Sequence, residues 1–158
     1  MVVFLLAWLA VAPFADAVSR PPTVRIPSMT IADSSRAAGA HRVRLAVTLR
    51  YRMQCGYPGP GPLVVTFPSA VKLPERFASG SVKLAAKPVA TSTHARSVTV
   101  AVPPPKGVLC GILGPGSMTL LFTRKAKLTN PARAGSYRFT ATHANHMFRA
   151  RLLVKPAG

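Results

Sequence analysis

The sequence predicts an all-β protein: an antiparallel β-sandwich of about seven to eight short strands, with a closed barrel as the next architecture in line. Three observations predict it. No stretch beyond residue 17 carries the three-to-four-residue apolar spacing of a helix. Proline and glycine, 16 and 11 of 158 residues, recur often enough to interrupt any long element. Apolar residues alternate with polar ones, as strands with one buried face require.

A first strand is expected near 23–31. The clearest follows in HRVRLAVTLRYRMQ, 41–54, where Val43, Leu45, Val47, Leu49, Tyr51 and Met53 share one face and Arg42, Arg44, Ala46, Thr48, Arg50 and Arg52 the other. A period of two sustained that far predicts one long half-buried strand. Shorter strands are expected at 63–67, 81–89 and 96–102, the last with Val98, Val100 and Val102 on one face. The strand at 117–124 turns Met118, Leu120 and Phe122 inward. The last two, 136–142 and 147–154, form a hairpin: the first strand points Tyr137, Phe139 and Ala141 one way, and the second buries Phe148, Ala150, Leu152 and Val154. Prolines fall between these strands: Pro68 and Pro74 bracket a corner, Pro103 to Pro105 end a strand, and Pro131 sits in NPARAG.

The first 17 residues read as a secretory signal, an apolar run followed by a small-residue site at Ala15, Asp16 and Ala17. The run is shorter than the roughly 20 residues a spanning helix needs. No Lys or Arg precedes it, which is atypical and points to a start upstream of Met1. Cleavage after Ala17 leaves 18–158, one domain's worth of chain, with no transmembrane segment. That part keeps all 21 Lys and Arg against two acids, Asp33 and Glu75, a net charge of +19. Charge of this size makes anionic partners the expectation and predicts a monomer.

One phrase occurs twice. CGYPGPGPLVVTF at 55–67 returns as CGILGPGSMTLLF at 110–122, and both copies begin with the only cysteines in the chain. An even count in an exported protein favours a Cys55 to Cys110 disulfide over two buried thiols, worth roughly 4 kcal/mol by loop entropy. Nothing near either cysteine supplies the further ligands a zinc site needs.

Three longer phrases, SSRAAGAHRVRLAVTL, GPGPLVVTFPSAVKLP and GPGSMTLLFTRKAKLTNPARAGSYRFTAT, together resemble the immunoglobulin-like sandwich modules of bacterial and archaeal secreted and surface proteins. The resemblance spans roughly 24–154. Its most specific residues are Asn130, Pro131, Ala134, Gly135 and Tyr137, then Thr66, Phe67 and Pro68 with Leu73 and Pro74. It implies an immunoglobulin-like sandwich in extracellular structural or adhesive use, with no shared active site. It further implies that each Gly-Pro-Gly of the repeated phrase is a tight turn starting a strand, so that the two cysteines sit at equivalent corners.

Catalysis has little to draw on. Asp33 and Glu75 are the only acids past the signal, and both fall in loops. Ser34 and Ser35 beside Asp33 read as an ordinary turn, and no nucleophile elbow, metalloprotease, P-loop or dinucleotide motif occurs. No enzyme activity, cofactor or metal is therefore expected. His143 and His146 in HANH suit a polar hairpin loop, and His41 and His94 stand alone at strand starts. The sharper candidate is a polyanion-binding face formed by Arg42, Arg44, Arg50 and Arg52, repeated by Arg149 and Arg151, since guanidinium groups chelate phosphate and carboxylate in a fork. Exposed aromatics that would stack bases are missing, which argues against specific nucleic-acid recognition.

The sequence thus points to a secreted or envelope-associated binding or structural module that contacts an anionic cell-wall or surface polymer. The competing reading is a soluble effector or inhibitor that binds another protein through loops 56–62 and 111–116.

Overall fold

The computed structural model describes residues 26–104 and 111–158. In chain order the strands are β1 (Ser28–Asp33), β2 (His41–Val43), β3 (Leu45–Gln54), β4 (Gly61–Thr66), β5 (Val82–Leu84), β6 (Lys87–Pro88), β7 (Thr91–His94), β8 (Ser97–Val102), β9 (Leu113–Phe122), β10 (Leu128–Thr129), β11 (Gly135–His143) and β12 (His146–Val154). They form two five-stranded antiparallel sheets, β1-β3-β9-β5-β6 and β12-β11-β4-β8-β7, plus a small β10-β2 pair. The result is an antiparallel β-sandwich, as the alternation predicts, of the immunoglobulin-like class that the resemblance implies.

The inward faces come from the residues the period of two selects. Leu45, Val47, Leu49, Tyr51 and Met53 of β3 are buried, as are Leu63 and Val65 of β4, Val98, Val100 and Val102 of β8, and Phe139 and Ala141 of β11. The expected terminal hairpin forms with Tyr137 opposite Leu152 and Phe139 opposite Ala150. Tyr137 is half-buried, and its hydroxyl donates to the Arg133 carbonyl at 2.8 Å, pinning the entry to β11. Such a tyrosine, bonding the backbone a few residues upstream, is a recurring feature of immunoglobulin-like sandwiches.

Four expectations need correction. The strand expected over 41–54 breaks at Arg44: Arg42 adopts a φ of 52°, and β2 leaves the first sheet to pair with β10. Ser34 takes up the freed backbone, donating its N–H to the Arg44 carbonyl and accepting the Arg44 N–H on its Oγ, both at 2.9 Å. The strand expected over 81–89 is a tight hairpin turning at Ala85 and Ala86, with φ of 46° and 69°. Glycine or asparagine usually marks such a left-handed pair, so the sequence carries no sign of it. β7 was not anticipated, because TSTH lacks an apolar face and gains its place as an edge beside β8.

The fourth correction concerns the repeated phrase. Gly59 and Pro60 lead into β4, but Gly114, Pro115 and Gly116 lie within β9, paired with Met53, Arg52 and Tyr51. The second copy is therefore extended strand and not a corner. Pro115 is tolerated because β5 reaches only Leu120 to Phe122, leaving that side of β9 open at Pro115.

The topology defines two ends. At the upper end lie the 55–60 loop, Pro103 and Pro104, the start of β9 and the turn between β11 and β12. At the lower end lie β2, β10, a 3-10 turn (Arg124–Ala126), the 34–40 loop and the β7 to β8 turn. Buried Asn130 ties the lower end together, donating from Nδ2 to the carbonyls of Ser35 (2.6 Å) and Ala37 (3.3 Å) and from its N–H to Ala40 (2.9 Å).

Candidate functional site

The six predicted arginines are exposed, but they do not form one face. Arg50 and Arg52 project outward from β3 in the first sheet, and Arg149 and Arg151 project outward from β12 in the second, where Arg138 of β11 pairs with Arg151. The two sheets cover each other through their inner faces, so these pairs point to opposite sides of the molecule. Arg44 stays in line with Arg50 and Arg52. Arg42 does not, because its left-handed backbone turns it toward the lower end.

There Arg42 joins cations that the strand pattern does not reveal. A groove of about 670 Å³ is lined by His41, Arg42, Arg124, Lys125 and Lys127, with Ser34, Ser35, Val43 and Ala78, and no acid lines it. The 3-10 turn at 124–126 and the left-handed Lys127 (φ 54°) present this group, and Ala126 anchors the turn by burial. The signal was the run TRKAK, 123–127, directly after a strand. Arg36, Arg96, Arg133 and Lys155 are exposed at the same end.

The upper end has the opposite character. Ile112 is 73% and Leu113 63% exposed, and Tyr57 and Met147 are also exposed there. The described segments that meet at this end, 55–62, 103–104, 111–116 and 143–147, contain no Asp, Glu, Lys or Arg. The Cys55 N–H donates to the Ile112 carbonyl at 2.7 Å, extending the β3–β9 ladder past Gln54 and Leu113. No cysteine among the described residues is free. Cys110, its expected partner, lies outside the described residues, as does the expected signal at 1–17.

Beneath this surface is an aromatic cluster. The Tyr51 ring lies 5.9 Å from that of His143, 5.4 Å from His146 and 5.5 Å from Phe148. Burial pushes the Tyr51 hydroxyl up to about 12. Neither Tyr51 Oη nor His143 Nε2 has a hydrogen-bond partner, although both are buried. Asp33 accepts the Ser35 N–H at 3.1 Å, which makes the Asp-Ser-Ser segment a turn. Among the described residues no helix is long and apolar enough to cross a membrane.

No known protein family matches the chain, and no curated protein does. Solved structures do. The crystal structure of BslA, a bacterial hydrophobin, is similar with a TM-score of 0.54 and 20% identity, covering 82% of this chain and 98% of that one. A non-cellulosomal cohesin from the archaeon Archaeoglobus fulgidus gives a TM-score of 0.36 at 13% identity, covering 82% and 85%. A protein from Nocardia farcinica with an immunoglobulin-like fold gives 0.34 at 15%, covering 77% and 82%. At 20% identity the likeness to the BslA structure is one of fold alone.

Proposed function

We propose that the protein is a secreted, non-enzymatic structural module of the cell envelope that adsorbs to an apolar phase through its upper end and holds an anionic wall or surface polymer at its lower end. One observation carries this reading: the two ends differ, with exposed Tyr57, Ile112, Leu113 and Met147 on uncharged loops and strand ends at one, where Arg149 is the nearest cation to Met147 (3.5 Å to its Sδ), and the acid-free cationic groove at the other. Withdrawing four partly exposed side chains of this kind from water contributes about 4–8 kcal/mol, well above thermal energy. The net positive charge opposes association of copies in solution and leaves an interface as the favoured place for the apolar end. That a bacterial hydrophobin shares the fold adds to the reading. A Cys55 to Cys110 bridge belongs to the proposal, since it would brace the strand ends that carry the apolar residues. Alkylation before and after reduction tests it: both cysteines react only after reduction.

Drop tensiometry at an oil–water interface tests the main claim. The protein without residues 1–17 is expected to lower the tension, and the double variant Ile112→Lys, Leu113→Lys to lose most of that activity while melting normally, because both side chains are exposed. Equal activity in the variant would remove the apolar end from consideration. Binding to a partner protein through loops 56–62 and 111–116 uses the same end. It predicts a saturable complex in solution with no effect on interfacial tension.

A further inference from the structure

The hairpin tip at the upper end holds an arrangement that neither the apolar surface nor the cationic groove uses. Ala144 and Asn145, with φ of 47° and 61°, close the β11 to β12 turn tightly, so His143 and His146 form its last residue pair. Directly opposed residues of an antiparallel pair project to the same face with Cβ atoms about 4.5–5.5 Å apart. Both imidazoles accordingly lie against one ring, that of Tyr51.

The hydrogen bonding of His143 fixes its chemistry. Its Nδ1 lies 3.2 Å from the Pro62 carbonyl oxygen, which can only accept, so Nδ1 carries the proton and Nε2 presents a lone pair. That lone pair is buried and unpartnered in a side chain only 2% exposed. Folded proteins rarely leave such atoms unsatisfied without a ligand or function to account for them. A histidine whose other nitrogen donates to a backbone carbonyl is held in the posture of a metal ligand.

We propose that His143 Nε2 and the His146 imidazole chelate a divalent transition-metal ion across the hairpin, over the ring of Tyr51. Imidazole donors without a carboxylate select copper, nickel or zinc over magnesium or calcium, and among these Cu(II) binds tightest. No group of three His, Cys, Asp or Glu comes together among the described residues, so the two imidazole nitrogens are the protein's contribution and water completes the shell. HANH reads as a polar loop in sequence because Tyr51, ninety-two positions before His143, joins it only through packing.

Cu(II) titration of the metal-stripped protein without residues 1–17, followed by electron paramagnetic resonance, tests the site. One equivalent with hyperfine coupling to two imidazole nitrogens is expected. The exposed His146→Gln change should weaken binding at least about tenfold. The double variant His41→Gln, His94→Gln should leave affinity within about twofold, since neither residue lies near the hairpin. Because His143→Gln alters a buried position, the decision rests on His146→Gln with an unchanged melting curve. Retained affinity in that variant, or a spectrum lacking two-nitrogen coupling, would overturn the proposal. Interfacial activity does not enter this readout, so the site stands or falls separately from the envelope role.

Discussion

The rings of Phe67 and Phe122 meet edge to face across the sandwich, with centroids 5.3 Å apart and planes at 85°. These are the closing residues of the two copies of the repeated phrase. The preceding apolar positions also correspond: Leu63 with Met118 and Val65 with Leu120, all buried. The first copy supplies β4 to one sheet and the second supplies β9 to the other, so the repeat builds matching halves of one core.

Truncation of either ring should therefore be costly. Phe122→Ala and Phe67→Ala are each expected to destabilise by about 3–5 kcal/mol in denaturant unfolding. The double variant should fall short of additivity by about 0.5–1.5 kcal/mol, the worth of an edge-to-face pair. Strict additivity would show that the two rings do not support one another.

Gly116 is required by packing. A Cβ there would stand 2.6 Å from Met53 Sδ and 3.2 Å from its Cβ, too close for a simple side-chain adjustment. Gly116→Ala is expected to cost about 1–3 kcal/mol. In a Met53→Ala background, which empties that space, most of the penalty should vanish, as thermal melts of the four proteins would show.

Burial of the Tyr51 hydroxyl is expected to make stability fall at alkaline pH. Its hydroxyl titrates near 12 in the folded protein and at 10.0 when solvated. Between those values the folded state retains a proton that the unfolded state has lost, so stability is fully present below pH 10 and falls as pH rises above it. The loss is expected at about 1.4 kcal/mol per pH unit over that window. Tyr51→Phe should flatten this part of the stability profile, measured by urea unfolding from pH 9 to 11.5. An unchanged slope would place the alkaline transition elsewhere.

Polymer retention should depend on position as well as charge. Replacing Arg42, Arg124, Lys125 and Lys127 by Gln is expected to reduce retention on an anionic polymer more than replacing Arg50, Arg52, Arg149 and Arg151, although each set removes the same charge. Column retention in a salt gradient measures this. Near 1 M salt, where screening acts within about 3 Å, all three proteins should elute together. Equal losses in the two sets would show that only net charge matters.

Much of the fold was legible because burial on one face of a strand imposes a period of two, and that period survives in Leu45 to Met53 and in Val98 to Val102. The NPARAG phrase was legible as a signature, but its role was not. Asn130 is conspicuous in sequence only as a loop residue, whereas its side chain closes the lower end by bonding carbonyls more than ninety residues away. The turn at Ala85 and Ala86 left little trace, since its left-handed backbone is imposed by strand pairing and not by glycine.

The sequence by itself determined the all-β class, the inward residues of the main strands, the closing hairpin and the excess of positive charge, because each is a local or additive property of the chain. Tertiary structure alone decided where that charge acts. Alternation assigns a residue to one side of its own strand, but it cannot say which sheet the strand joins. Arg50 and Arg149 thus share a pattern and face opposite ways, while Arg42 and Lys127, more than eighty positions apart, line one groove. The same physics brought Tyr51 beneath His143 and His146: the β3 and β11 strands belong to different sheets, and only their packing places a phenol against two imidazoles.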